Sequence, residues 1–332
     1  QVLADGKMST VAMATYTDPE SAEKRAVVVK TVKDLKTFLL EEDVYMLCGN
    51  HHDHMAHYIG SIYEPEIERF SIVLEHYEQG CLEDYLKVKT FTPLEALEFI
   101  ITFIRGLSFL HSPEVLPNGV KKWEIAHRDI KSRNVLIHAD GYAVLADFGV
   151  SQICKDNGYP ARAYQVGTHR YMAPELLNGM ANCNREGLLR ADMYAASLVL
   201  WEILARTKID DEDDIGPAVP PYSVELEEEA AKREANFKNE AGFNPIEKFE
   251  RWPEQYYLKR IVYTDERRPV LREKLNTNPI SSELIKTIED MWYQEEDGRI
   301  TSQRALHRLE TLKPKAIAGT IPVFDHSKFV YS

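Results

Sequence analysis

The sequence predicts an α+β fold of two lobes, a small β-rich lobe followed by a larger helical lobe. Residues 25–30 and 70–74 are apolar runs of strand length, and residues 35–47 between them repeat with helical spacing. From residue 92 onward the apolar positions recur at helical spacing instead. We expect the small lobe at residues 1–76, the large lobe at residues 77–312 and an extended tail at residues 313–332.

The first long helix of the large lobe has the clearest start signal. Thr92 and Glu95 match a capping box, and Pro93 takes the first helical position. Apolar residues on one face carry this helix to about residue 111. Further amphipathic helices are predicted at residues 190–206, 282–292 and 301–312.

Residues 207–250 form an acidic insert in the large lobe. Acidic side chains concentrate at residues 210–214 and 225–229, and a later charged segment has the composition of an exposed helix. A charge run of this kind is most often a solvated face. The alternative is a platform for a basic partner, and the sequence leaves both interpretations open.

Composition argues against several classes of function. The net charge of −13 is unfavourable for binding nucleic acid or anionic lipid. The 4 cysteines are far apart and form no C-x-x-C pair, which predicts reduced thiols. No apolar run approaches the roughly 18 residues that a membrane span needs. Because the chain begins at Gln1, close to its first motif, we expect a fragment of a longer protein.

Three short motifs indicate the chemistry. H-R-D-I-K-S-R-N at residues 127–134 is followed by D-F-G at residues 147–149 and A-P-E at residues 173–175. The spacing of the first two fits a β-hairpin between them. A single triplet of this kind is often a chance surface turn. All three in this order are typical of a protein kinase, which transfers the γ-phosphoryl group of ATP to a hydroxyl.

Phosphoryl transfer needs one carboxylate to take the hydroxyl proton and oxygen ligands to hold a metal ion. Asp129 fits the first role, and Asn134 with Asp147 fits the second. Lys131 can reach both the Asp129 carboxylate and the γ-phosphate. We therefore expect catalysis at Asp129 and Lys131. Asn134 and Asp147 should bind Mg²⁺, with Mn²⁺ as an alternative.

Lys30 ends the apolar run V-V-V-K and occupies the place of the kinase lysine that pairs with the α- and β-phosphates. A lysine at a strand end is usually only a snorkelling side chain. The functional interpretation is favoured here because the following helix offers a partner carboxylate. We prefer Glu41 as that partner, with Glu42 as the competing candidate.

The glycine-rich loop is the weakest motif. Residues 4–11 align with G-x-G-x-x-G-x-V, but only Gly6 is retained, and Ala4 and Ser9 replace the outer glycines. Small residues still let the backbone approach the phosphates, so we expect altered affinity for ATP rather than none. Residues 75–77 should form the hinge that binds adenine. The predicted nucleotide contacts are Gly6, Val11, Lys30, Glu75, Tyr77, Asn134 and Asp147.

Two features favour serine or threonine as the acceptor. Lys131 follows Asp129 by two residues, whereas tyrosine kinases typically carry Ala-Ala-Arg or Arg-Ala-Ala nearby. Thr168 should hydrogen-bond both Asp129 and Lys131.

Two structural contacts are also predicted: Arg299 should neutralise Glu175, and Asp192 should accept backbone N–H groups of the catalytic loop.

The activation segment offers no evident activating phosphosite. Ser151 is too close to Asp147, and Thr168 is already assigned a partner. The remaining hydroxyls between Asp147 and Glu175 are Tyr159, Tyr164 and Tyr171. We therefore hypothesise that the segment is held without phosphorylation and that activity is constitutive.

A histidine-rich stretch at residues 51–57 contains four histidines and one aspartate. These side chains are typical metal ligands, but no second cluster completes a tetrahedral site. We interpret the stretch as the loop between the first helix and the next strand.

Several segments resemble the TGF-β/activin/BMP receptor kinases. The resemblance is densest at residues 127–206 and includes Q-V-G-T-H-R-Y-M-A-P-E at residues 165–175 and R-A-D-M-Y at residues 190–194. Within that family the chain is most similar to type II receptors. It has Phe148 where type I receptors tend to have leucine, and R-R-P-V-L-R-E at residues 267–273.

The resemblance implies a receptor Ser/Thr kinase that uses ATP and Mg²⁺. It implies a type I receptor kinase as substrate, through that receptor's Ser/Gly-rich juxtamembrane segment, and an oligomer with itself or with that receptor. It also implies the cytoplasmic side of the plasma membrane, with a transmembrane segment outside this chain. The rival hypothesis is a pseudokinase scaffold, which Ala4 and Ser9 would suit.

Overall fold

The computed structural model describes residues 2–6, 9–18, 22–155, 166–181, 184–239 and 252–321. It confirms the α+β fold of a β-rich small lobe and a helical large lobe. The boundary at residue 76 stays a prediction. Of the described residues, none forms a helix long and apolar enough to cross a membrane.

The small lobe is a five-stranded antiparallel sheet with one helix against it. The strands are β1 (Val2–Asp5), β2 (Ser9–Thr17), β3 (Lys24–Val32), β4 (Tyr58–Glu64) and β5 (Arg69–Glu75), in the spatial order β1-β2-β3-β5-β4. Helix α1 (Leu35–Cys48) starts at Asp34, whose carboxylate accepts the backbone N–H groups of Lys36 and Thr37. The sheet and α1 together place the end of β3 beside the face of α1 that carries Glu41.

Eight helices and several short strands make up the described part of the large lobe. The helices are α2 (Leu82–Val88), α3 (Pro93–His111), α4 (Pro174–Asn178), α5 (Arg185–Ala205), α6 (Ser223–Asn239), α7 (Glu254–Leu258), α8 (Pro279–Met291) and α9 (Ser302–Ile317). The short strands are β6 (Glu114–Val115), β7 (Lys121–Lys122), β8 (Ile125–Ala126), β9 (Val135–Ile137), β10 (Ala143–Leu145) and β11 (Gln152–Ile153). The predicted hairpin between the first two motifs is confirmed as β9 paired with β10.

Helix α5 is the centre of the core. Most of its residues are buried, including Leu198, Val199 and Leu200 with no exposed surface. A helix buried on all sides has no polar face, so its start is hard to predict from amphipathic spacing. The helix begins at Arg185, five residues before the predicted start. Its cap is Asn184, whose side-chain oxygen accepts the N–H of Gly187 at 2.8 Å.

The predicted tail is wrong at its beginning. Helix α9 continues to Ile317 instead of ending at residue 312, although Pro314 interrupts its hydrogen bonding. Ala316 packs against the core beyond that proline, which explains why the helix continues. Residues 322–332 of the predicted tail lie outside the described residues.

The acidic insert is more buried than its composition predicts. Glu225 and Glu229 are only 4 % exposed on helix α6, because Leu226 and Ala230 pack that face into the core. Asp213 is buried as well and contacts Arg272. The prediction of a merely exposed helix is therefore wrong for this part of the insert, and residues 240–250 lie outside the described residues.

Basic residues of the segment at 267–274 neutralise much of that acidity. Arg267 contacts Glu228 at 2.6 Å, and Lys274 contacts Asp210 at 2.8 Å. These pairs lie within the chain, so the Glu228 and Asp210 carboxylates are already matched by cations. They offer a basic partner less charge than the sequence count suggests.

Replacing Thr92 by alanine should weaken the start of α3. The Thr92 side chain accepts the N–H of Glu95 at 3.3 Å, and the Glu95 carboxylate accepts the N–H of Thr92 at 2.7 Å. We expect the free energy of unfolding to fall by about 1 kcal/mol, measured by urea denaturation. Thr311→Ala is the matched control, since that hydroxyl bonds only the His307 carbonyl of its own helix. Equal losses in both variants would contradict the capping role.

Candidate active site

Asp192 of α5 fixes the backbone of the catalytic loop. Its carboxylate accepts the backbone N–H of His127 at 2.6 Å and that of Arg128 at 2.8 Å, as the sequence predicts. His111 at the end of α3 contacts the same carboxylate at 3.0 Å. Arg128 has a left-handed backbone, with φ 67°. This unfavourable conformation persists because Asp192 fixes both adjacent N–H groups.

Asp129 lies at the centre of a polar cluster. Its Oδ2 contacts Lys131 Nζ at 2.6 Å, and its Oδ1 accepts both the N–H and the hydroxyl of Thr168 at 2.9 Å. Lys131 Nζ also donates to the Thr168 hydroxyl at 2.9 Å, and Asn134 Nδ2 donates to the Asp129 carbonyl at 2.8 Å. The structure thus brings Asp129, Lys131, Thr168 and Asn134 together.

Lys30 contacts two carboxylates across the cleft. Its Nζ lies 2.5 Å from Glu41 Oε1 and 2.6 Å from Asp147 Oδ1. The competing candidate, Glu42, is only half-buried and accepts a hydrogen bond from the Tyr58 hydroxyl instead. The partner of Lys30 is therefore Glu41, which has no exposed surface.

Burial and pairing act in opposite directions on these three groups. Burial alone would lower the pKa of Lys30, but Glu41 and Asp147 reverse this and raise it above its ordinary value. Burial raises the pKa of Glu41 even though Lys30 opposes the shift. Burial also acts to raise the pKa of Asp147, and Lys30 overrides it so that the pKa lies below its ordinary range. Asp147 is therefore held ionised.

Tyr45 links the helix of Glu41 to the D-F-G motif, and the sequence analysis missed it. Its hydroxyl accepts the backbone N–H of Asp147 at 3.2 Å, and its ring meets Phe148 edge-on at 4.9 Å. Asp147 needs this support because its backbone is left-handed, with φ 67°. The available signal was spacing, since Tyr45 lies four residues after Glu41 and so on the same face of α1.

The residues predicted to hold a metal ion suit a hard divalent cation. The Ala146 N–H donates to the Asn134 carbonyl at 3.0 Å, which joins Asn134 to the chain just before Asp147. The Asn134 amide nitrogen is directed to Asp129, so the amide oxygen is the atom left for a ligand. The Asp147 side chain is 46 % exposed and keeps part of its carboxylate at the cleft. A carboxylate and an amide oxygen are ligands that Mg²⁺ accepts.

The glycine-rich loop connects β1 to β2 as a hairpin. The Gly6 N–H donates to the Ser9 carbonyl at 2.9 Å, and Lys33 donates to the Gly6 carbonyl at 3.0 Å. A Cβ at Gly6 would lie 3.3 Å from the Ser9 oxygen, so even alanine would crowd this turn. Val11 pairs directly with Lys30 on the neighbouring strand, which puts both beside the loop. Residues 7 and 8 lie outside the described residues.

The predicted hinge, residues 75–77, begins at the last residue of β5. The Glu75 N–H donates to the His57 carbonyl at 3.1 Å. The Tyr77 side chain is buried, and its hydroxyl accepts the His57 N–H at 3.1 Å, so the ring is part of the core. A contact between Tyr77 and a nucleotide would therefore come from its backbone.

The A-P-E segment is fixed by a buried ion pair. Arg299 donates to both oxygens of Glu175, at 2.8 and 2.7 Å, and its side chain has no exposed surface. This confirms the contact predicted from the sequence. The pair ties the end of the activation segment to the turn before α9.

A buried carboxyl group below the catalytic loop was not predicted. Glu202 accepts hydrogen bonds from Ser132 Oγ and from the Tyr171 hydroxyl, both at 2.9 Å. Burial raises the pKa of Glu202 to about 8, although the hydrogen bonds from Tyr171 and Ser132 oppose the shift. No motif carries this signal, because a glutamate inside an apolar helix has no distinctive spacing.

Glu202→Gln should make the folded state less sensitive to pH. In the wild type, the raised pKa of Glu202 means that this group's contribution to stability is fully present below about pH 4.5 and is lost as the pH rises through about 8. Glutamine keeps the shape but cannot ionise. We expect the variant to be more stable than the wild type at pH 8 by on the order of 2 kcal/mol, and similar at pH 5. Urea denaturation at both pH values checks this, and parallel pH curves would contradict it.

Two neutral groups are among the contacts of Arg128. Its guanidinium donates to the Val150 carbonyl at 3.4 Å and to Gln152 Oε1 at 3.5 Å. Ser151 is buried, and its hydroxyl donates to the His127 carbonyl. Tyr159 and Tyr164 lie outside the described residues, so the hypothesis of constitutive activity stays a prediction.

The histidine-rich stretch packs into the loop after α1. His52 stacks on Phe109 with ring centroids 4.5 Å apart, and burial lowers its pKa to about 4. His54 contacts the Ala143 carbonyl at 3.0 Å. These packing contacts account for both side chains. In the part of the chain that the structure describes, no group of three or more His, Cys, Asp or Glu side chains is arranged to hold a metal ion.

Comparisons with known proteins agree with this geometry. The model of the protein kinase domain family matches residues 1–309. Activin receptor type-2B of Xenopus laevis is 32 % identical over 303 residues, and activin receptor type-2A of Homo sapiens is 33 % identical over 284 residues. The matches cover 89 % and 83 % of this chain, and 54 % and 50 % of those receptors.

A more distant animal receptor is also similar. The cell surface receptor daf-4 of Caenorhabditis elegans is 30 % identical over 313 residues, which is 93 % of this chain and 39 % of that receptor. The chain spans about half the length of the activin receptors it matches. These matches confirm the resemblance to type II receptors that the motifs indicated.

Proposed function

The chain belongs to the protein kinase family, and from this premise we propose that it is a receptor-type Ser/Thr kinase of the activin and TGF-β receptor class. It would transfer the γ-phosphoryl group of ATP to serine or threonine of a type I receptor. The similarity to activin type-2 receptors over 83 to 89 % of the chain supports the class. The geometry of the cleft supports the chemistry.

We assign nucleotide positioning to the small lobe. Lys30 would pair with the phosphates, and Glu41 would hold the lysine in place, since the two are 2.5 Å apart. Gly6 and Val11 would cover the phosphates, while the backbone of Glu75 and Tyr77 would meet adenine. The roles of Gly6 and Val11 are proposed from their position near Lys30. Those of Glu75 and Tyr77 are proposed from their position at the end of β5 and just after it.

We assign the transfer step to the catalytic loop. Asp129 would orient the acceptor hydroxyl and take its proton, and Lys131 would stabilise the negative charge on the transferring phosphoryl group. Asn134 and Asp147 would hold Mg²⁺, or Mn²⁺, which neutralises phosphate charge when bound.

One observation carries the proposal. The two catalytic halves are assembled, with Lys30, Glu41 and Asp147 in contact on one side and Asp129, Lys131 and Thr168 in contact on the other. A buried charge is unfavourable unless it is paired. A scaffold without catalysis would gain nothing by keeping this set of charged side chains. The alternative is a pseudokinase scaffold, which is motivated by Ala4 and Ser9 in place of the outer glycines of the nucleotide loop. Weak nucleotide binding would distinguish that scaffold from an active kinase.

The Thr168 contacts support serine or threonine as the acceptor. Thr168 fills the space beside Asp129 and bonds both Asp129 and Lys131. A short acceptor side chain must come close to Asp129, whereas tyrosine places its hydroxyl farther from its backbone. This is the physical argument for the class of acceptor.

The test is phosphorylation of a catalytically inactive type I receptor cytoplasmic domain. The purified chain is incubated with γ-labelled ATP and Mg²⁺, and the product is analysed for phosphoserine and phosphothreonine. We expect label in the juxtamembrane Ser/Gly-rich segment. A matched substrate with alanine at the Ser and Thr positions of that segment should stay unlabelled. Equal labelling of both substrates would contradict the proposed substrate.

We also propose a location and an assembly. The chain would lie on the cytoplasmic side of the plasma membrane, joined to a transmembrane segment outside this sequence. It would act in an oligomer with itself or with the type I receptor. Receptor similarity supports this proposal.

A further inference from the structure

Arg170 lies in the activation segment between two residues that contact the catalytic loop network. Thr168 bonds Asp129, and Tyr171 bonds the buried Glu202. Arg170 belongs to the same short helical turn, His169–Tyr171, but its side chain extends away from Asp129. It reaches the start of α6 and the start of α7 instead.

The Arg170 guanidinium makes four polar contacts there. Nη1 donates to the Pro221 carbonyl at 3.2 Å and to Ser223 Oγ at 3.0 Å. Nε and Nη2 donate to the two oxygens of Glu254 at 3.2 and 2.5 Å. The side chain of Arg170 is 20 % exposed. A two-pronged arginine–carboxylate contact fixes orientation as well as distance.

The receiving surface is itself anchored. The hydroxyl of Tyr222, immediately before α6, lies 2.5 Å from that of Tyr194 on the central helix α5, and Tyr222 has no exposed surface. Leu226 of α6 and Tyr257 of α7 are buried in the core. Arg170 is therefore attached to a surface held by the core of the large lobe.

The acceptor polypeptide must pass over this part of the activation segment. Its hydroxyl has to reach Asp129, and Thr168 is the activation-segment residue in contact with Asp129. Residues 166–168 therefore border the path of the acceptor chain.

We propose that Arg170 is a positioning residue for the protein substrate, which ties the substrate-facing end of the activation segment to α6 and α7. Arg170 binds Glu254 and Ser223 of the same chain. In many regulated enzymes, a phosphate group added to the chain holds such a segment by binding arginine. The inference rests on the proposed kinase activity. It adds that the starts of α6 and α7 contribute indirectly to substrate binding.

Kinetics of Arg170→Ala test this role. We expect kcat/KM for a protein acceptor to fall about tenfold, chiefly through KM, because the segment loses its fixed position. Hydrolysis of Mg-ATP by water should change less than twofold, because water needs no such path. Arg105→Ala is the matched control: Arg105 contacts Glu310 at 2.8 Å on the exposed surface of the large lobe, and its loss should leave both rates unchanged.

A charge exchange separates positioning from general damage. Arg170→Glu should lower acceptor kcat/KM further than alanine does, and adding Glu254→Arg should recover part of the loss by restoring the pair. A merely structural role would lower Mg-ATP hydrolysis in parallel, and that result would overturn the proposal. So would an unchanged acceptor KM in Arg170→Ala.

Hydrogen exchange keeps this test independent of catalysis. In Arg170→Ala the backbone amides of residues 166–172 should exchange faster than in the wild type, while those of α3 should not change. Unchanged exchange at residues 166–172 would overturn the tie whether or not the enzyme is active. Absence of Mg-ATP-dependent transfer by the wild type, in contrast, would contradict the proposed function.

Discussion

Asp147→Asn is expected to abolish phosphoryl transfer while leaving the fold intact. Asp147 contacts Lys30 at 2.6 Å and keeps about half of its side chain exposed at the cleft. Lys30 holds the pKa of this carboxyl below its ordinary range, against the effect of burial, so the group is anionic at all physiological pH values. Asparagine has the same shape but no charge for a divalent cation.

The expected loss in kcat is at least about a thousandfold, which corresponds to roughly 4 kcal/mol of transition-state stabilisation. Tyr45 bonds the backbone of Asp147 and not its side chain, so the left-handed turn should persist in the variant. The measurement is transfer of labelled phosphate together with thermal unfolding. Asp140→Asn, in the turn between β9 and β10, is the matched control for loss of an exposed carboxylate. Retained transfer in Asp147→Asn would contradict the metal role.

Lys30→Met should reduce both activity and stability. The lysine is the cation shared by Glu41 and Asp147, so its loss removes the proposed phosphate contact and leaves Glu41 buried without a counter-charge. We expect kcat/KM to fall at least about a hundredfold. Breaking a buried ion pair by removing one partner destabilises by about 3 kcal/mol, although protonation of Glu41 will reduce this.

The pH dependence identifies Glu41 as the cause of the instability. Burial already raises the pKa of Glu41, and removal of Lys30 raises it further. A carboxyl group with a raised pKa gives stability below its unfolded pKa that is lost as the pH rises through the folded pKa. The deficit of Lys30→Met should therefore be small near pH 5 and larger near pH 8.

The double variant Lys30→Met/Glu41→Gln provides the control. It should recover most of the stability at pH 8, because glutamine at position 41 cannot ionise in its buried site, but none of the activity. The measurements are the free energies of unfolding of both variants at pH 5 and pH 8, and their rates of acceptor phosphorylation. A double variant as unstable as Lys30→Met at pH 8 would show that Glu41 is not the destabilised group.

The sequence was informative where chemistry demands particular residue types. The catalytic loop, D-F-G and A-P-E motifs predicted the two-lobed fold, the hairpin of β9 and β10, and the contact between Glu175 and Arg299. Capping chemistry predicted the start of α3, because Thr92, Pro93 and Glu95 act within a few residues of one another, and the apolar face predicted its end near residue 111.

Long-range packing was beyond the sequence. Glu202 and Tyr45 are ordinary residues in helices, and their importance comes from Ser132, Tyr171 and Asp147, which are distant in the chain. The acidic insert was misjudged for the same reason. Its composition indicates exposure, but partners such as Arg267 lie about 40 residues away and allow Glu229 to be buried.

The central claim is that this chain is a competent kinase and not a scaffold. The most direct measurement is Mg²⁺-dependent transfer of the γ-phosphoryl group of labelled ATP to dephosphorylated casein, with phosphoamino-acid analysis. Asp147→Asn serves as the inactive comparison. We predict phosphoserine and phosphothreonine with the wild type, and none with the variant or without the metal ion. Binding of Mg-ATP by the folded wild type without transfer above that of Asp147→Asn would contradict the claim.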